Sequence, residues 1–83
     1  MYDTVDSFIA YIARVEGLSP NTVAAYSSRL ERFAAWCERT DTDARAADVR
    51  TVRTYLAELS REKVAPRTIA AHLSAIRSLY RWM

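Results

Sequence analysis

Three arginines near the C-terminus hold the most readable chemistry of this chain. Arg67, Arg77 and Arg81 fall on one helical face with Ala70 and Ser74, at spacings of three and four residues. A guanidinium group is a planar fork of donors that matches the oxygens of a phosphate. Only small side chains stand between the charges. A helix bearing such a face can lie against a phosphate backbone or in a groove. An ordinary solvated helix can carry the same pattern, with arginine stems covering apolar surface and their heads in water. The wider charge distribution favours an anionic partner at this end. Residues 61–83 hold five basic side chains and one acid, Glu62, whereas residues 1–60 hold seven basic and nine acidic ones. Net charge is +2, so it is the asymmetry that speaks to partners.

Other chemistries lack their residues. His72 is the sole histidine and Cys37 the sole cysteine, so no zinc set can be assembled and no intrachain disulfide can form. His72 falls at the edge of an apolar stripe, with no aspartate near it in sequence to orient it as a general base. The single glycine excludes a glycine-rich phosphate loop. Tyr26, Tyr55 and Tyr80 lie on apolar stripes, which suits packing better than nucleophilic chemistry. Asp41 and Asp43 are spaced as calcium ligands can be, but no Gly or Glu completes a loop around them. No catalytic site, metal site or cofactor is expected. No apolar run reaches the roughly 20 residues of a membrane span, and no secretory signal opens the chain. A cytoplasmic setting fits the lone cysteine.

The elements that position the arginines follow from periodicity. Abundant Ala, Leu, Arg and Glu, with one Gly and two Pro in 83 residues, predict one all-α domain over 1–83. A first helix is expected over 4–16, capped by Asp3 or Thr4, with Val5, Phe8, Ile9, Ile12 and Val15 inward. Gly17 ends it in the left-handed conformation, and Leu18 follows where an apolar capping contact belongs. Ser19-Pro20 starts a second helix over 20–39. Its inner stripe is Val23, Tyr26, Leu30, Phe33, Ala34 and Cys37. Glu31 and Glu38 lie on one flank, and Arg29, Arg32 and Arg39 on the other with Trp36. Trp36 is placed either against a base or sugar, or half-buried beside the first or fourth helix. The soft stretch Thr40–Asp48 joins two helical hairpins, with room for one short turn. A third helix over 51–62, capped by Thr51, turns Val52, Tyr55, Leu56 and Leu59 inward. The fourth, 66–82, opens at Pro66 behind the poor cap Ala65. Its inner stripe reads Ile69, Leu73, Ile76, Tyr80 and Met83, about a quarter-turn from the arginines. The expected fold is a compact bundle of four helices arranged as two hairpins.

The order of these features resembles a known family. LSPNTVAAYSSRLERFAAW, DVRTVRTYLAEL and APRTIAAHLSAIRSLYRWM are together similar to the N-terminal, SAM-like core-binding domain of tyrosine recombinases, the phage integrases and Xer-type enzymes. Leu18-Ser19, Thr22 and Tyr26 carry the resemblance in helix two. Thr68-Ile69, Leu73-Ser74-Ala75, Arg77, Tyr80 and Trp82 carry it in helix four. It covers nearly all of residues 4–83, and each piece alone is mostly helix pattern. The family often has arginine where this chain has His72.

The resemblance implies a domain that clamps one face of a recombination half-site in double-stranded DNA. A separate C-terminal catalytic domain of the same parent protein, its second partner, cuts and rejoins strands. That catalytic domain carries a His-x-x-Arg motif, and here the residue three after His72 is Ala75. The chain is therefore expected to be a non-enzymatic, monomeric DNA-binding fragment without the catalytic domain. The expected DNA face joins Asn21, Thr22 and Arg29 of helix two to Lys63, Arg67, Thr68, Ser74, Arg77 and Arg81 of the last turn and helix four. Free N–H groups at both helix starts, with Thr22 and Thr68, would hold phosphates. Arg77 and Arg81 could instead serve the junction with the catalytic domain. The rival class is a helical protein-interaction module whose basic face meets an acidic protein.

Overall fold

A computed structural model describes residues 1–83 as four helices and no strand. α1 is Tyr2–Arg14, α2 Pro20–Arg39, α3 Val49–Arg61 and α4 Pro66–Trp82, with a single 3₁₀ turn at Ala44–Ala46. α1 packs along α2, and α4 lies across the bundle in contact with all three other helices. No helix is long and apolar enough to cross a membrane.

The helix ends are set by local chemistry. Ser19 caps α2, its Oγ accepting from the Thr22 N–H, and Pro20 follows at the first helical position. α3 begins two residues before its expected start. Asp48, not Thr51, is its cap, and Asp48 accepts from both the backbone N–H and the hydroxyl of Thr51. The aspartate outcompetes the threonine because its carboxylate takes both bonds and the negative charge favours a helix N-terminus. Those bonds hold the Asp48 carboxyl below its usual range. α1 likewise begins early. Met1 is its cap, without the expected side-chain bond from Asp3 or Thr4.

Three helices end on a residue with positive φ: Gly17, Asp41 and Lys63. After α3, the Lys63 N–H donates to Ser60 O and the Val64 N–H to Leu59 O, both at 3.0 Å. After α2, the Asp41 N–H donates to Glu38 O and the Thr42 N–H to Cys37 O. These paired reversals are the Schellman arrangement, which satisfies the last carbonyls of a helix. Only Gly17 adopts the left-handed conformation without a Cβ penalty.

Fourteen buried side chains form one core from all four helices and the 3₁₀ turn. Phe33 is its hub, with ring centroids 5.1 Å from Tyr55, 6.1 Å from Trp36 and 6.4 Å from Tyr80. Trp36 is buried, not half-buried, and packs 5.3 Å from Tyr55 of α3. Its ring partners are Phe33 of its own helix and Tyr55 of α3. The Tyr80 hydroxyl donates to Ala44 O, tying the α2–α3 connection to α4.

α4 is rotated from its expected orientation. Its buried residues are His72, Ala75, Ile76 and Leu79. Ile69, Leu73 and Tyr80 are half-buried, and Met83 is exposed. Tyr26 and Leu56 are half-buried as well, and Val15 lies beyond α1, largely exposed. The rotation follows from what α4 packs against. It touches both α2 and α3; small Ala75 is buried on the inward side, and Leu73 lines a groove with Val52 and Leu56 of α3.

Candidate nucleic-acid interface

The rotation places the arginine face well. At about 100° per residue, Arg67, Ser74 and Arg81 point roughly opposite the centre of the buried stripe. All three, with Arg77, are exposed. From Arg67 to Arg81 the face runs about 21 Å along the helix axis. The arginines therefore occupy the outermost side of α4, half a turn from the core instead of a quarter.

The structure divides the expected DNA residues into three places. The first is the start of α4. Ala65 offers no side-chain cap, and Pro66 has no N–H. The first backbone bond into the helix is Ile69 N–H to Ala65 O, at 2.9 Å. The N–H groups of Arg67 and Thr68 are thus left with no acceptor in the chain, as the first turn of any helix leaves them. Exposed Lys63 lies in the preceding turn. Arg29 of α2 is half-buried, and its charge is among those that lower the pKa of His72 in α4.

The second place is the far end of the same face. Arg81 borders a cleft walled by Phe8, Tyr11, Tyr26 and Trp82. Arg77 borders a groove between α3 and α4 lined by Val49, Val52, Leu56 and Leu73. The third place is the head of α2, where Asn21 and Thr22 are exposed. There the Thr22 N–H and hydroxyl both meet Ser19 Oγ, at 3.3 and 3.0 Å. The two helix starts therefore differ: Ser19 already occupies the donor at Thr22, whereas the donors of α4 are open.

Two arginines on the basic flank of α2 are paired across to the end of α3. Arg32 pairs with Glu62 at 2.7 Å and Arg39 with Glu58 at 3.3 Å, both acids belonging to α3 or its cap. Sequence reasoning sorted these charges correctly but could not see that α3 faces them. His72 is buried at 5% exposure, with the Tyr55 hydroxyl 3.5 Å from its Nδ1. Burial, with the charges of Arg32 and Arg29, pushes its pKa down and keeps the ring neutral. Burial likewise raises the Cys37 thiol and takes Tyr55 and Tyr80 up to about 12. These are packed core groups, and no cluster of three or more potential metal ligands occurs.

The chain is thus an all-α SAM-like bundle that displays a long basic helical face and buries His72 and Tyr55 in its core. Residues 5–83 match the family described as phage integrase, N-terminal SAM-like domain, and the chain belongs to that family. Among relatives, tyrosine recombinase XerC of Lacticaseibacillus casei (strain BL23) is 36% identical over 81 residues, covering 95% of this chain and 27% of that protein. XerC of Pseudomonas fluorescens is 30% identical over 80 residues, with the same coverage. XerD of Listeria innocua serovar 6a is 28% identical over 85 residues, covering 100% of this chain and 29% of that protein. The chain spans little more than a quarter of the length of these relatives. No solved structure matches it.

Proposed function

We propose that this chain is the non-catalytic DNA-binding domain of a tyrosine recombinase, clamping a recombination half-site while a catalytic domain of the same parent protein performs strand exchange. The observation that carries this reading is the exposed arginine face of α4, opposite the core, on a chain of this family. Arg67, Arg77 and Arg81, with Ser74 between them, meet the backbone of duplex DNA. Thr68 and Lys63 add contacts at the start of α4, and Asn21, Thr22 and Arg29 add contacts from α2. Phosphate contacts from this set position the domain, and an arginine reaching a guanine edge adds sequence preference. The test is a titration of the ¹⁵N-labelled domain with duplex DNA. Amide shifts concentrated on residues 66–81 and the head of α2 support the reading. Shifts absent at low salt refute it.

A second reading has its own observation. The groove between α3 and α4 is apolar along Val49, Val52, Leu56 and Leu73 and carries Arg53 and Arg77 on its rim. That combination suits an acidic, amphipathic protein segment. In the same titration, such a segment would shift Val52, Leu56 and Leu73 and leave Arg67 unmoved.

A further inference from the structure

Glu62 is unfavourably placed for an acid. It is the sole acid among residues 61–83, between Arg61 and Lys63 in sequence. It also stands at the C-cap of α3, where the helix dipole disfavours negative charge. An acid there weakens α3 unless another partner holds it. The partner is Arg32, reached across to α2 at 2.7 Å, with both side chains close to half exposed. An exposed pair of this kind adds little to stability, so the fold gives weak reason for an acid at this position. Local rules are most often broken where a site has a task.

The task follows from what surrounds the pair. Arg32 lies on the flank of α2 that also carries Arg29, and its partner Glu62 adjoins exposed Lys63 in the turn before α4. We infer that Glu62 is an internal stand-in for a DNA phosphate: its carboxylate holds Arg32 until a phosphate oxygen takes its place, making Arg32 a DNA contact kept in reserve. The inference rests on the DNA-binding reading above and adds to it a residue and a means of control. A carboxylate and a phosphate offer a guanidinium the same paired oxygens, so the exchange needs a side-chain rotation and no change of fold. The consequence is discrimination. Weak or misaligned DNA must displace a carboxylate before it gains Arg32, whereas a well-seated half-site supplies the replacement anion.

The experiment compares Glu62→Gln with Glu38→Gln in the complete chain, measuring duplex DNA affinity across a salt series and thermal stability for each. Both changes remove one negative charge. Glu38 lies in the cleft with Met1 and Tyr2, on the side of α1. One charge removed from about 7 Å of a phosphate in water changes affinity roughly threefold. A released Arg32 adds about one phosphate contact and steepens the salt slope by about 0.9. Glu62→Gln is therefore expected to bind at least about threefold tighter than Glu38→Gln, with the steeper slope and a melting temperature close to the parent. Adding Arg32→Ala to Glu62→Gln should remove the extra slope. If Glu62→Gln binds no tighter than Glu38→Gln while the parent chain binds DNA, the stand-in role is overturned and the DNA-binding reading survives. If only Glu62→Gln binds, the stand-in role is upheld in its strongest form. If neither the parent nor Glu62→Gln binds at low salt, both readings fall.

Discussion

Replacing Leu79 and Leu73 of α4 with alanine, one at a time, tests the orientation of that helix directly. Leu79 is 0% exposed. Leu79→Ala removes three carbons, at about 0.8 kcal/mol each, and leaves a cavity that the surrounding rings cannot close, for a loss of about 3–5 kcal/mol. Total stability for a domain of this size is on the order of 4–12 kcal/mol, so this one change takes a large share of it. Leu73 is half-buried at the rim of the α3–α4 groove. Its truncation vacates space already open to water, with little cavity term and a loss of about 1–2 kcal/mol. Urea unfolding followed by circular dichroism reads both values, provided the slope with urea is unchanged. For a 60–100-residue domain each kcal/mol also lowers the melting temperature by about 4–8 °C. If Leu73→Ala cost as much as Leu79→Ala, the rotation would be wrong. The arginine face would then lie a quarter-turn from the core, as periodicity alone suggests.

Other expectations are more quickly checked. The domain alone should bind duplex DNA with a Kd of about 10⁻⁴ to 10⁻⁶ M near physiological salt, and Arg67→Ala should weaken binding and lessen the salt slope by about one unit. Glu31→Ala and Glu38→Ala should matter little, and an equal effect from them would mean that binding follows net charge. Burial lowers the pKa of His72 from its ordinary 6.5. The unfolded chain therefore takes up the proton first, and its stabilising share, complete above about pH 6.5, is lost as pH falls towards the lower folded value. Urea melts from pH 7.5 to 5 should show this decline, and His72→Gln should flatten it. Tyr55 and Tyr80 have the opposite sign. Raised from 10.0 to about 12, they stabilise the fold below pH 10, and alkaline melts should show that stability draining away towards pH 12. Gly17 has open space around an added Cβ, so Gly17→Ala should cost only backbone strain, about 1–2 kcal/mol. Lys63→Gly should gain about 0.5–1 kcal/mol in a thermal melt while weakening DNA binding.

How far the sequence could be read depends on the range of the interaction. Helix ends marked by strong local chemistry, such as Gly17 and Ser19-Pro20, were legible because cap and helix are neighbours in sequence. The start of α3 was misread because Asp48 and Thr51 are both good caps, and the choice turns on which side chain collects more bonds. The face of α4 was misread for a different reason. A stripe of large apolar residues marks one side of a helix, but the tightest crossing wants a small one. Ala75 and His72 carry little signal until the partner is known. The fate of Arg32 and Arg39 was hidden in the same way, since their partners lie 30 and 19 residues away. The candidate DNA residues could be named from type and spacing. That Ser19 occupies the donor at one helix start, while the other stays open behind Ala65, follows from the same local capping chemistry.

The opposition of the two faces of α4 separates what selection can change from what it must keep. His72, Ala75, Ile76 and Leu79 are fixed by their neighbours in the core. Positions 67, 70, 74, 77 and 81 project away from that core, where most substitutions cost little stability. A lineage can therefore rewrite the outer residues while the fold is inherited unchanged. For an engineer the same separation marks five positions for a randomised library in which nearly every member should still fold.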